Sequence, residues 1–308
     1  RGDSAIFQSL ASTKYFYVND VDNLSLGKNK MLEEKIDLHH MSLIGSGSQA
    51  DVFYDGLDSV YKAFKSDVSY QTVAYELEAT KKASALRLPV PTIAGITTVN
   101  GKLALKMNLI EGESILGIIE KSPSTVFRLG ELLANAHSEI HQKTVQDGFI
   151  SQGLRLKEKI LEKDLLSQVV KDRLLALLLS LPTKSHLCHN DFHPGNLMQG
   201  TTNVVVLDWA DADVGNPLAD VARTYLLILL SRSSETSRVK QAMDKFFKFI
   251  ICRQYIYHYR KNNGLDKNEF GAWLAVVAGA RLSENYSGET EALKAIIDKE
   301  LKRHDRLR

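Results

Sequence analysis

An Asp, an Asn five positions later and a second Asp closing a short apolar run are spaced in this chain as the oxygen groups of a phosphoryl-transfer site would be. They are Asp191 and Asn196 within His189-Asn190-Asp191-Phe192-His193-Pro194-Gly195-Asn196, and Asp208 after Val204-Val205-Val206-Leu207. A bare carboxylate at Asp191 suffices as base, because phosphoryl transfer is largely dissociative and asks for alignment of the attacking hydroxyl more than for a strong base. Asn196 and Asp208 offer hard oxygen atoms of the kind Mg2+ prefers. The histidines His186, His189 and His193 crowd the same region and open a competing chemistry, hydrolysis at a metal held by His189, Asp191 and His193. No further His or Cys cluster completes such a shell. His189 is therefore expected to hydrogen-bond backbone and brace the loop, and His193-Pro194-Gly195 to form a rigid turn that delivers Asn196.

A second group of residues lies far upstream. Ile44-Gly45-Ser46-Gly47-Ser48-Gln49-Ala50-Asp51-Val52 joins two strand-like runs, and glycines at 45 and 47 let backbone amides approach an anion that any Cβ would crowd. The bland alternative is a plain hairpin turn. A dinucleotide-binding glycine motif must open a helix, whereas Ala50 to Tyr54 is strand-like, which argues against a Rossmann domain. Lys62, in Val60-Tyr61-Lys62-Ala63-Phe64, alternates with Tyr61 and Ala63 and so projects from one strand face, where it could reach the α- and β-phosphates of a nucleotide. Lys65 competes with it. Glu76 on the following helix can pair with the lysine, with Glu78 as the alternative.

The elements that must hold these groups divide into two halves. Strand patterns cover Met41 to Gly45, Ala50 to Tyr54, Val60 to Phe64, Thr92 to Val99 and Lys102 to Leu109, the last two joined by the hairpin dipeptide Asn100-Gly101. One helix, Ser69 to Leu88, interrupts them and is ended by Pro89 and Pro91. Past Glu111-Gly112 the pattern is helical over Pro123 to His141, Leu154 to Leu181, Pro217 to Arg232, Arg238 to Lys261, Glu269 to Leu282 and Glu291 to Arg303, broken only around Asp191 to Asp208. The expected fold is α+β: a five-stranded antiparallel small lobe with one helix, residues 41–107, then a connector at 108–112 and a larger, mainly helical lobe at 113–308. Residues 1–40 read as an irregular lead-in.

Composition bounds the function. The chain has 308 residues, 44% of them hydrophobic and 25% charged, which is enough for two cores. Its 39 basic side chains nearly cancel 37 acidic ones without a long block of either sign, so neither nucleic acid nor a membrane surface is an expected partner. A small-molecule ligand fits better. Cys188 and Cys252 form no metal or redox pair, apolar runs fall short of a bilayer span, and no signal-peptide core opens the chain, so the expected location is the cytoplasm.

Taken together, these residues resemble the aminoglycoside phosphotransferase family, whose members share the two-lobe protein-kinase-like fold and include choline, homoserine, fructosamine and methylthioribose kinases. The resemblance runs from about Leu43 to Tyr225 and is most specific at the Asp191 block. Gly215-Asn216-Pro217-Leu218-Ala219-Asp220-Val221-Ala222 is similar to the family's helix-opening signature, in which Asp220 is a structural brace. The resemblance implies Asp191 as base, Asn196 and Asp208 as Mg2+ ligands, Lys62 as the phosphate lysine and Glu76 as its partner. It implies a hinge at Leu105 to Gly112, with backbone near Asn108 and Ile110 binding adenine and Met107 lining its pocket. Tyr61 before the lysine and the lack of D-F-G and A-P-E motifs set the chain apart from protein kinases. The implied cofactors are ATP, with GTP as the alternative, and Mg2+. The implied acceptor is a small-molecule hydroxyl, on an aminoglycoside or other antibiotic, a sugar, a nucleoside or an amino alcohol. Asp211 and Asp213 are the candidates for contacting it, and resistance is one subset of this reading. The late Trp273 to Glu284 segment resembles a packing helix of bacterial members. A nucleotide-binding module without chemistry is the contrasting expectation.

Overall fold

The computed structural model describes residues 35–36, 41–162, 164–231, 237–286 and 288–306. Strands β1 (Lys35–Ile36), β2 (Ser42–Ser46), β3 (Ala50–Tyr54), β4 (Ser59–Phe64), β5 (Ile93–Val99) and β6 (Lys102–Asn108) lie in the order β1-β5-β6-β4-β3-β2, with helix α1 (Tyr70–Ala85) between β4 and β5 in sequence. Strands β2 to β6 form the expected five-stranded antiparallel sheet. β1 adds a two-residue parallel edge on β5. The rest of the 1–40 lead-in lies outside the described residues, as does Arg232 at the expected end of one helix.

Alternation along β4 sends Phe64 to the α1 side, where it packs with Val73, Ala74, Leu77, Ile96 and Leu105, and Tyr61 and Ala63 to the other. Lys62 shares the α1 side with Phe64 because residues two apart in a strand point the same way. Ser69 caps α1 by accepting from the Thr72 amide at 3.2 Å. Buried Val73, Glu76, Leu77 and Thr80 then line up at helical spacing and face the sheet. Asn100 and Gly101 both have positive φ, 48° and 75°, as a two-residue hairpin turn requires.

The second half contains β7 (Gly112–Ser114), α2 (Ile115–Lys121), α3 (Val126–His141), α4 (Gln152–Glu162), α5 (Gln168–Ser180), β8 (His186–Cys188), β9 (Leu197–Gly200), β10 (Val204–Val206), β11 (Asp213–Gly215), α6 (Pro217–Leu230), α7 (Arg238–Asn263), α8 (Lys267–Arg281) and α9 (Thr290–Asp305). The Leu154 to Leu181 stretch is two helices rather than one. Lys171 on α5 reaches back to the Leu161 carbonyl at 3.4 Å and to Asp164 at 3.0 Å, tying down the break between them. All five strands of this half, β7 to β11, are three or four residues long, too short for any alternation to show. They matter because they suspend the Asp191 segment. β8 pairs with β11, β9 with both β7 and β10, and the loop hangs between the two small sheets. Gly112 begins β7 with the Gln199 carbonyl only 2.1 Å from where a Cβ would sit, so any larger residue would push the β7–β9 pairing apart.

The main core joins α1 to the helices of the second half around Leu133, Leu174, Trp209, Leu226, Tyr255 and Val276. Cys188 and Cys252 are buried free thiols. No described helix is long and apolar enough to cross a membrane.

Candidate active site

Three elements converge where the halves meet. Lys62 on β4 reaches Glu76 on α1 at 2.7 Å and Asp208, just past β10, at 3.0 Å. Glu78 instead faces Lys81 at 3.5 Å, and Lys65 is exposed beyond the strand end. Burial lowers the Lys62 ammonium, but the Asp208 and Glu76 carboxylates outweigh it and hold the group above its usual range. The lysine stays charged with its direction set by two anions from different parts of the chain.

Asp208 owes its position to Leu207. The Leu207 amide donates to the Asn196 carbonyl at 2.8 Å, and the Leu207 carbonyl accepts from His189 Nε2 at 2.9 Å. Both backbone groups of one residue thus tie the Asp208 strand to the Asp191 loop. Asp208 has φ +58°, in the left-handed region that Asp tolerates better than most residues. The Val206 amide donates to the Pro89 carbonyl at 2.8 Å, linking this strand to the turn after α1.

Asn196 ends a single 3-10 turn begun by Pro194 and donates from Nδ2 to both the Asp191 carbonyl, at 2.9 Å, and Asp191 Oδ2, at 3.0 Å. Its Nδ2 being spent there, the amide oxygen is the atom left to face an ion. His193 Nε2 lies 3.5 Å from Asp191 Oδ2, while its Nδ1 accepts from the Gly195 amide. Asp191 Oδ1 is buried and has no hydrogen-bond partner among the described residues. Burial pushes the Asp191 carboxyl up, but His193, Arg223 and His189 outweigh it and hold it well below the usual carboxylate range. The result is an ionised carboxylate with one oxygen held by Asn196 and the other buried without a hydrogen-bond partner among the described residues.

The histidines do not form a hydrolytic metal shell. His189 accepts from the Asp191 amide at Nδ1 and donates to Leu207 at Nε2, so both ring nitrogens are engaged. Among the described residues, the group with converging ligand atoms is His137, His141 and Asp220. It too is saturated: the two Nε2 atoms lie 3.0 and 3.2 Å from Asp220 Oδ2, and the two Nδ1 atoms accept from the Tyr255 and Tyr259 hydroxyls at 2.6 and 2.7 Å.

Asp220 carries the Asp191 loop on its carboxylate. Oδ2 accepts from the His189 amide at 2.5 Å and Oδ1 from the Asn190 amide at 2.9 Å, while α6, which bears it, is started by Asn216 accepting from Leu218 and by Pro217. Burial alone would raise this carboxyl; His137 and His141 hold it well below its ordinary value. Burial drives His141 down to about 3, helped by His137 and opposed by the Asp220 hydrogen bond. Between that value and about 6.5, only the unfolded chain takes up the proton, so this group's stabilisation is complete above about pH 6.5 and is lost as pH falls. The stability advantage of the protein over His141→Gln is expected to shrink by roughly 2 to 3 kcal/mol between about pH 6.5 and about pH 4.5 in paired denaturant titrations. An advantage that does not change with pH would remove the neutral histidine.

At the glycine turn, Gly47 N donates to the Ala50 carbonyl at 2.8 Å and Ser46 Oγ to Asp51 at 2.7 Å, with Ser48 in the turn and strand β3, not a helix, following. A Cβ on Gly45 would make only ordinary contact with Val52, at 3.5 Å, so packing within the protein does not demand glycine there. At the connector, the Asn108 amide donates to Thr92, its side chain accepts from the Thr92 amide, and the Leu109 amide donates to Asp58. Of the two hinge positions, the Asn108 amide is therefore already used, and the Ile110 amide makes no hydrogen bond among the described residues. Met107 packs against the α1-side cluster.

Asp211 and Asp213 are buried rather than displayed, with Arg155 at 3.7 and 3.9 Å. Arg155, Arg223, Glu284 and the His137–His141 pair were not visible as site residues in the sequence. The four-residue spacing of the histidines on one helix face was the available signal.

A β-sheet half bearing the half-buried Lys62, followed by a helical half that brings Asp208 to that lysine and ties Asp208 through Leu207 to the loop of Asp191 and Asn196, defines a phosphotransferase of the protein-kinase-like class. The chain belongs to the phosphotransferase enzyme family, APH, whose family model matches residues 40–243, and is thereby one of the small-molecule kinases. No curated protein sequence matches it. Among solved structures it is similar to an aminoglycoside-3'-phosphotransferase of type VIII, at 16% identity over 78% of this chain and 94% of that one with a TM-score of 0.54. It is also similar to a choline/ethanolamine kinase family protein from Mesorhizobium loti, at 14% identity over 87% of each chain with a TM-score of 0.51. These likenesses are in fold.

Proposed function

We propose that the protein transfers the γ-phosphoryl group of ATP to a hydroxyl of a small molecule, with residues 41–107 as the nucleotide lobe, 108–112 as the hinge and 113–308 as the acceptor lobe. The observation that carries this is Lys62 held between Glu76 and Asp208, which joins the sheet half to the catalytic loop through one cation. In this reading Lys62 binds the α- and β-phosphates, the turn at Ile44, Gly45, Ser46, Gly47, Ser48 and Val52 covers them, and the Ile110 amide meets the adenine edge beside Met107. Asp191 Oδ1 orients the acceptor hydroxyl and takes its proton. The Asn196 amide oxygen and the Asp208 carboxylate are hard donors that fit Mg2+ rather than a softer metal. When bound, the ion supplies charge neutralisation on the phosphate oxygens.

The test is Mg-ATP turnover against a panel of alcohols, with Asp191→Asn alongside. Loss of general-base assistance should lower kcat by about 10²- to 10⁴-fold while nucleotide affinity is kept. Acceptor-dependent turnover that survives in Asp191→Asn within a few-fold would overturn the assignment.

A further inference from the structure

The outer face of α7 carries a second apolar row that packing within the chain does not use. The inner face, which includes Asp244, Lys248, Ile251, Cys252, Tyr255 and Tyr259, is buried. There the Tyr255 and Tyr259 hydroxyls meet the α3 histidines at 2.6 and 2.7 Å, and Cys252 Sγ meets the Tyr225 carbonyl of α6 at 3.8 Å. On the other side, Val239, Met243, Phe246, Ile250, Arg253 and Tyr257 follow one another at steps of four and three, the spacing that keeps residues in one row along a helix. Val239, Met243, Phe246 and Tyr257, with Phe249 beside them, are between 51% and 69% exposed. Phe127 of α3 widens the row: it is exposed as well, its ring meets Phe247 edge-on at 6.4 Å, and its carbonyl accepts from Gln254 of α7 at 2.7 Å. Single apolar residues scattered over a surface are ordinary, whereas a contiguous row marks an interaction site.

The charge along this row has one sign. Residues 238–261 hold seven Lys and Arg against one acid, Asp244. That acid is on the buried side, paired with Lys248 at 2.6 Å. Lys245, Arg253, Arg260 and Lys261 are exposed within or beside the row, and no exposed residue of α7 is acidic. Glu131 of α3 meets the helix on its α3 flank, 3.9 Å from His258. The near-cancellation of charge over the whole chain therefore does not hold along this helix. A second copy of the chain laid on the row would set cations against cations. Side chains exposed by half or more stand out from the surface rather than line a cleft, so they suit an interface into which they can sink better than they suit a peptide groove.

We propose that α7 lies in the plane of an anionic phospholipid surface, with Val239, Met243, Phe246 and Phe249 below the headgroups and Lys245 and Arg253 on the lipid phosphates and carboxylates. The apolar part of the row, Val239 to Ile250, is about 17 Å long, far short of a bilayer span and suited to lying along it. The long stems of lysine and arginine keep the charge at headgroup level while the apolar atoms between them go deeper. Apolar burial and attraction to anionic lipid add in a helix of this kind, so attachment depends on both. It does not depend on turnover at the Lys62–Asp208 site.

Flotation of the full chain with vesicles of phosphatidylcholine alone, and of phosphatidylcholine mixed with phosphatidylserine, tests it. Binding to the mixed vesicles is expected to be at least ~10-fold stronger than to the neutral ones, and to weaken as salt is raised. Phe246→Ser with Phe249→Ser and, separately, Lys245→Gln with Arg253→Gln should each weaken it by ~10-fold or more. All four positions are exposed, and the melting temperature reports whether each pair is folded; either pair alone decides the matter. No association with the mixed vesicles, equal association with both kinds, or serine and glutamine pairs that float as well as the parent would each overturn the proposal. Sedimentation velocity on the same samples identifies the alternatives: a dimer that the serine pair dissociates, without vesicle binding, assigns the face to a second copy, and a complex with polyglutamate but not with vesicles assigns it to an acidic protein, and both outcomes overturn the lipid surface.

Discussion

Asp208→Asn is expected to remove phosphoryl transfer altogether, by more than ~10⁴-fold, while the protein stays folded. The substitution keeps size and shape and tolerates the left-handed backbone at this position, where φ is +58°. What it removes is charge. Asp208 is both the anion that holds Lys62 from the catalytic side, at 3.0 Å, and one of the two hard-oxygen donors proposed for Mg2+. Positioning of reactants can contribute ~7 to 11 kcal/mol, against the ~10²- to 10⁴-fold typical of a general base, so the loss should exceed that of Asp191→Asn. Turnover and melting temperature measured on the same preparation decide it. An Asp208→Asn enzyme within about tenfold of the parent would mean that charge at this position does not organise the reaction. Asp208→Ala is the less informative variant, because a residue without a polar side chain is strained at positive φ by roughly 1 kcal/mol or more.

Asp220→Asn should produce the largest loss of stability. The Asp220 carboxylate accepts from four donors: the His137 and His141 rings and the amides of His189 and Asn190. An amide in its place offers one acceptor oxygen and turns an N–H toward groups that are themselves donors. A buried unsatisfied donor costs roughly 1 to 3 kcal/mol, and the costs here are not independent, so about 4 kcal/mol is the expected loss. That is a large share of the 5 to 15 kcal/mol typical of a folded domain. The denaturation midpoint reads it directly, and a change under about 1 kcal/mol would mean that the loop is not hung on this side chain. The activity consequence is indirect. Asp191 is held through the two amides that Asp220 fixes, so any Asp220 variant that folds should lose turnover through misplacement of the loop.

The two variants separate two kinds of dependence. Asp208 is partly exposed, at 37%, and its neighbours are satisfied without it, so its removal is felt in chemistry. Asp220 is completely buried, and its removal is felt in folding first.

Much of the molecule was legible in the chain itself. Period-two runs at Val60 to Phe64 and Lys102 to Asn108, the Asn100-Gly101 turn and the prolines after α1 mark the sheet half, because each is a local signal written within a few residues. The order Asp191, Asn196, Asp208 was likewise readable, since the turn that presents the first two spans six residues. The short strands β7, β8, β9 and β11 were not readable, as three or four residues carry no period, and β10, equally short, was legible only because it is uniformly apolar ahead of Asp208. Nor was the break between α4 and α5, which depends on Lys171 reaching back across it.

What only the tertiary structure decided is which partner each polar group takes. The choice of Glu76 over Glu78 depends on the turn of α1 that faces β4. The fate of His189 depends on Leu207 lying beside it, and the ion pairs of Glu284 depend on Lys159 of α4 and Arg223 of α6 arriving beside it. Residue types and local spacing determine strands, helices and turns because their causes are steric and short-range. Pairing of buried charges reaches from 14 residues, at Lys62–Glu76, to 125, at Lys159–Glu284, and is selected by the cost of leaving any one of them unmatched once the halves have packed together.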